Sequence, residues 1–153
     1  MIVLAYDGSA DADAAIDHAA ALMPGAEIVV ITVWEPFLDV LARTGSLGGV
    51  ASPGESLQNE QEVDAIARDT ATKSAERGAE RATAAGLNAR AEARAMFLGV
   101  PGTILGAALE LDADVIVVGT RGRTGMKSFL MGSTSHALLQ HADRPVLVVP
   151  SLM

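Results

Sequence analysis

Four short apolar runs and one alternating run, spaced by helix-length segments, leave this chain few folds to choose from. The apolar runs are "IVLAY" at 2–6, "EIVVITVW" at 27–34, "ADVIVVG" at 113–119 and "PVLVV" at 145–149. Runs this short, rich in Val and Ile and bounded by turn residues, read as strands buried on both faces. The fifth run, "ARAEARAM" at 89–96, alternates small or apolar residues with charged ones, as a half-exposed strand near a sheet edge would.

Helices fill most of the gaps. Ser9 is placed to cap a helix that reaches about Met23, with Asp11 and Asp13 in its first turn and Pro24-Gly25 as its stop. Residues 56–85 are charged and Ala-rich with interspersed Glu and Arg, the pattern of a long, largely solvated helix. Pro101 suits the first turn of a helix that ends at Leu111, and Ser133–His141 reads as the last helix. Residues 35–55 hold four glycines and two prolines without a clear period, so a long functional or mobile loop is expected there. The order is therefore β-α-β-α-β-α-β-α-β. Strict alternation with right-handed crossovers predicts an α/β, doubly wound parallel sheet with helices on both faces.

The bulk composition narrows the function. At 153 residues one domain spanning 1–153 is expected, and an aromatic content of 3% suits close-packed Ala-rich helices. There is no cysteine, which excludes disulfides, thiolate catalysis and Cys-based zinc. A net charge of −8 argues against a nucleic-acid partner, which would need a basic face. No apolar run approaches the roughly 18 residues of a membrane span. The opening "MIVLAYDGS" lacks the basic leader of a signal peptide, so a cytoplasmic location with no membrane contact is the expectation.

Doubly wound folds bind ligands beyond the C-terminal ends of their strands, where strand order reverses. Asp7-Gly8 ends the first strand and "GTRG" at 119–122 ends the fourth, so both tips share one crevice if the reversal lies between them. Gly119 and Gly122 let the chain turn sharply and let amides approach a ligand. Gly132 begins the last helix, where free amides and the helix dipole attract an anion, and Ser133 and Thr134 add hydroxyls. The plain alternative is a turn followed by a helix cap. Arg121, Arg123 and Lys127 read as solvated loop cations within reach of phosphate. Asp7 suits ribose hydroxyls or a metal-bound water, or else serves as the turn residue before Gly8. His18, His136 and His141 lack metal-site spacing and read as surface residues, and Trp34 as packing at a strand end.

The string G-x-x-G-x9-G-[ST], filled by Gly119, Gly122, Gly132 and Ser133, resembles the nucleotide motif of the universal stress protein family, ATP-binding type. "DGS" at 7–9, "GVPGTIL" at 99–105 and "RPVLVV" at 144–149 are similar to that family too, so the likeness spans nearly the whole chain. Ala5 and Tyr6 differ from the polar and proline residues that some members carry before the aspartate. The resemblance implies a five-stranded sheet of order 3-2-1-4-5 and ATP as ligand, with Mg2+ as a candidate companion. It places Gly122, Gly132, Ser133 and Thr134 at the phosphates, Asp7 and Gly119 beside the ribose, and the Val33 backbone against adenine. It also implies a homodimer. The apolar final strand lies at an edge in that order, so an isologous dimer through residues 146–149, bracketed by Pro145 and Pro150, is expected.

No general base stands beside the expected γ-phosphate position, so a nucleotide-responsive regulator of stress tolerance is expected, with slow ATP hydrolysis at most. Two other classes stay open: a true ATPase or nucleotidyl transferase, and a partner-binding stress protein that uses no nucleotide. The intact Gly122 and Gly132 weigh against the second. Cyclic AMP, a ligand of some members, fits the long loop less well than a triphosphate.

Overall fold

A computed structural model describes residues 1–44, 53–121 and 131–150. Ten elements follow one another: β1 Ile2–Ala5, α1 Ala10–Leu22, β2 Glu27–Trp34, α2 Phe37–Thr44, α3 Pro53–Ala84, β3 Asn88–Ala95, α4 Gly99–Glu110, β4 Val115–Gly119, α5 Ser133–His141 and β5 Val146–Val149. The strands form one parallel sheet of order β3-β2-β1-β4-β5. β1 pairs with β2 through Ile2↔Ile28 to Ala5↔Ile31 and with β4 through Ile2↔Val115 to Leu4↔Val117. The chain winds outward from β1 to β2 and β3, crosses through α4, and continues at β4 on the other side. Strand order therefore reverses between β1 and β4.

The pleat sorts each apolar run between two faces. Ile2, Leu4, Ile28, Val30 and Val117 meet the alanine-lined faces of α1 and α3, including Ala12, Ala15, Ala79 and Ala82. Val3, Val29, Ile31, Ile116 and Val118 meet Ile104, Ala107 and Ala108 of α4 and Leu138 of α5. Fully burying each such Ile, Val or Leu contributes roughly 1.5–3 kcal/mol relative to exposure. The small helix residues let backbones approach the sheet closely. At Gly78 of α3 an added Cβ would lie 2.8 Å from Val30 Cγ1 and 3.0 Å from the Tyr6 ring.

One expectation is corrected. Part of the segment read as aperiodic loop, Phe37–Thr44, is helix α2. Its start is capped from a distance, because Asp64 of α3 accepts the Phe37 N–H at 2.7 Å, 27 positions away in sequence. Arg43 closes it with two hydrogen bonds to Glu35, at 3.0 and 3.1 Å. The flanking prolines and glycines hid eight helical residues whose first cap lies on another element. α3 likewise begins three residues earlier than its composition suggests, with Pro53 at its first position, where a missing N–H costs nothing.

β3 is an edge strand with a divided character. Ala89 and Ala91 pack toward the α3 side, while Arg90, Glu92 and Arg94 form ion pairs on the opposite side. Arg94 also reaches Glu110 at the end of α4, at 2.7 Å. Among the described residues no helix is long and apolar enough to cross a membrane.

Candidate functional site

Where β1 and β4 part, the strand tips open a cleft of about 580 Å³. β1 ends as the Tyr6 N–H donates to the Ile31 carbonyl at 2.8 Å. The chain then turns at Asp7-Gly8, where Asp7 Oδ1 accepts the Ser9 N–H at 3.0 Å. Ser9 Oγ accepts the Ala12 N–H at 3.2 Å and so caps α1. Asp7 thus makes the turn expected of it and also lines the cleft.

β2 runs three residues beyond its last pairing with β1, with a consequence for Val33. In a parallel ladder, alternate residues direct both N–H and C=O to the same neighbour. Ile31 directs its pair to β1, and the Trp34 carbonyl accepts from Met96 beyond β3 at 2.7 Å. Val33 therefore directs its donor and acceptor to the β1 side, beyond the last β1 residue. The Tyr6 carbonyl, which would otherwise meet the Val33 amide, accepts instead from the buried Thr32 hydroxyl at 2.9 Å. Val33 so presents a backbone donor and acceptor to the cleft that it lines.

On the far side, α5 is clipped to the tip of β4 by one carbonyl. The Thr120 C=O accepts the Gly132 N–H at 2.8 Å and the Ser135 hydroxyl at 3.0 Å. The first intrahelical bond is His136 N–H to Gly132 C=O at 3.0 Å, so the amides of Ser133, Thr134 and Ser135 precede it and face outward from the helix start. All three residues line the cleft. Gly132 owes its identity to closeness, since a Cβ there would stand 2.9 Å from the Thr120 carbonyl oxygen. Its amide serves the clip, and the three amides that follow are left without an intrahelical partner.

Gly119 also has a structural reason to lack a side chain. A Cβ there would come within 2.7 Å of Asp11 Cβ and 2.8 Å of the Asp11 backbone carbon. The start of α1 rests directly on β4 at this point. Asp11, buried to 6% exposure, accepts the Arg121 N–H at 2.9 Å and stands 3.5 Å from the Arg121 guanidinium. Arg121 is thus tied to α1 rather than solvated.

The remaining wall was not anticipated. Ala67, Thr70, Ala71 and Ser74 of α3 line the cleft along one helix face. The spacing of small residues at 67, 71, 74–75 and 78, in an otherwise charged helix, is the sequence signal that marks this face. Tyr6 packs its ring under Gly78 and donates its phenol to Asp13 at 2.8 Å. Burial first, and then the Asp13 carboxylate, push the phenol up to about 12, so it stays a protonated donor at physiological pH. Thr120 Oγ1 is, among the described residues, a buried side-chain oxygen with no hydrogen-bond partner.

The structure brings together Asp7, Val33, Gly119, Gly132, Ser133 and Thr134 around this cleft. Gly122, Arg123 and Lys127 lie outside the described residues. Trp34 lines the cleft at the end of β2. His18, His136 and His141 are all exposed. No group of three His, Cys, Asp or Glu side chains among the described residues is arranged to hold a metal ion.

Residues 1–150 match the sequence profile of the "Universal stress protein family". A universal stress protein of Thermus aquaticus, encoded beside a QAH/OAS sulfhydrylase gene, is 36% identical over 151 residues, covering 97% of this chain and 96% of that protein. Among solved structures, the protein MJ0577 superposes with a TM-score of 0.72 at 21% identity, covering 97% and 94% of the two chains. Three further structures with nucleotides share the fold. The universal stress protein of Archaeoglobus fulgidus in complex with dAMP has a TM-score of 0.58 at 20% identity, covering 97% and 95%. A family protein of Arabidopsis thaliana with AMP bound has 0.62 at 14%, covering 99% and 92%. A universal stress protein in complex with cAMP gives 0.60 at 22%, covering 99% and 96%.

Proposed function

The chain belongs to the universal stress protein family, and from that premise we propose that its cleft binds an adenine nucleotide, with ATP as the ligand and Mg2+ carried on the phosphates. One observation carries this reading most: the open amides at the start of α5 and the outward-facing Val33 backbone border one cleft. They suit the two ends of a nucleotide. The α5 amides and dipole favour phosphate, and the Val33 N–H and C=O match the donor and acceptor of an adenine edge. Asp7 and Gly119, which line the same cleft, flank the ribose in this reading. Gly122 completes the phosphate loop in this reading. Structural neighbours with AMP, dAMP and cAMP bound support an adenine nucleotide as the ligand.

The role that follows is a cytoplasmic, nucleotide-responsive regulator of stress tolerance. The described lining of the cleft offers phosphate donors and the Asp7 and Glu35 carboxylates, and no histidine. Hydrolysis is therefore at most slow and not the purpose of the site. Mass spectrometry of the small molecule released from the purified native protein, with calorimetry against ATP, ADP, AMP and cyclic AMP, tests the reading. ATP should bind at micromolar affinity or better and more tightly than the shorter nucleotides. Failure of all four to bind would defeat the proposal.

The family likeness and the fold also support a homodimer through β5. This strand is the sheet's second edge, its residues Val146, Leu147 and Val148 are only half-buried, and Pro145 and Pro150 limit the length of any pairing. Val148→Asp should give monomers or insoluble protein in sedimentation velocity. A soluble dimer of unchanged sedimentation coefficient would remove β5 from the interface.

A further inference from the structure

Hydroxyls in the middle of a helix normally turn back on it. On α3, Thr70 donates to the Ile66 carbonyl and Thr72 to the Arg68 carbonyl, both at 2.8 Å. Ser74, one turn further along the same helix, makes no such bond and has no hydrogen-bond partner among the described residues. Yet it is a buried residue, 9% exposed, and it lines the cleft. Its hydroxyl oxygen is open to the cleft rather than sealed in the protein, so it is free to donate to, or accept from, a ligand there.

Its position says which part of the ligand it meets. A Cβ on Gly8 would lie 3.9 Å from Ser74 Oγ and 3.6 Å from the Arg77 guanidinium, so this hydroxyl stands against the Asp7-Gly8 turn. In the nucleotide reading the Asp7-Gly8 turn is the ribose side of the cleft. A serine hydroxyl both donates and accepts, and so suits a sugar diol, whose hydroxyls also do both.

We infer that Ser74 recognises the sugar of the bound nucleotide, by hydrogen-bonding a ribose hydroxyl, and makes the cleft discriminate ribose from deoxyribose. The inference rests on the nucleotide reading above. It adds a determinant from α3, an element that contributes nothing to the glycine motif.

The test is calorimetric titration of the full chain and its Ser74→Ala variant with ATP, 2′-deoxy-ATP and 3′-deoxy-ATP. Alanine is the better helix former and has Ala71 and Ala75 as neighbours, so the variant should melt at or above the wild-type temperature. Wild type should bind ATP about 5–10-fold more tightly than at least one deoxy analogue, the factor expected for one hydrogen bond in a buried site. Ser74→Ala should lose that factor for ATP and bind the same analogue as wild type does. Equal weakening toward all three ligands, or no weakening, would overturn the assignment to Ser74 and leave ATP binding standing. Wild-type protein that binds none of the three would overturn the nucleotide reading and this inference with it.

Discussion

Gly119→Ala should destabilise the protein by about 3 kcal/mol, measured as a lowered midpoint in equilibrium urea unfolding. The added methyl would meet the Asp11 backbone at 2.8 Å and Asp11 Cβ at 2.7 Å, and backbone cannot step aside as a flexible side chain can. Relief requires α1 to lift from β4, which strains the Asp11 bond to the Arg121 amide and disturbs the alanine-lined core beneath. Gly106→Ala is the matched control. Nothing lies within 4 Å of a Cβ at that position in α4, so alanine there should stabilise by about 1 kcal/mol through helix propensity. A Gly119→Ala midpoint within error of wild type would show that α1 does not bear on β4 as described.

Ser133→Pro should lower ATP affinity about 100-fold and leave the melting temperature nearly unchanged. The substitution removes one amide and one hydroxyl from the start of α5, and hydrogen bonds to a charged group are worth about 1.5–3 kcal/mol each. Proline is tolerated there for two local reasons. Ser133 is the first helical residue, where no intrahelical bond uses its N–H, and Gly132 before it has φ −60° and ψ 153°, the extended conformation a proline demands of its predecessor. Loss of binding with an intact fold would isolate the amide donors. Equal calorimetric affinity in wild type and variant would sink the phosphate assignment to α5.

The strands were legible because burial writes itself into composition. Apolar runs such as Glu27–Trp34 and Val115–Gly119 need both faces covered, and their alternation with helices left a parallel sheet as the solution. The order of those strands came from family resemblance, since no local residue pattern encodes which strand neighbours which. The start of α5 was legible too, because a glycine followed by Ser and Thr suits a helix N-terminus. Tertiary contacts account for what was hidden. The cap of α2 comes from Asp64, and the partner of Arg121 is Asp11, 110 residues earlier. The α3 wall is hard to see in the sequence because charge on the helix's outer face outweighs the small residues at 67, 71, 74 and 78. Gly119 and Gly132 were expected for reasons of ligand approach, and in the structure both are also needed for backbone contact within the protein.

An open parallel sheet has two ends, and the two ends here carry opposite instructions for growth. The β3 end displays Arg90, Glu92 and Arg94, a row of fixed charges that another strand would have to strip of water. The β5 end displays valines and a leucine. Pairing through β5 uses up the permissive end of both copies at once and leaves a charged terminus facing outward on each side. Association by that route would therefore end at two copies, with the arginines and glutamate of β3 opposing any further strand addition.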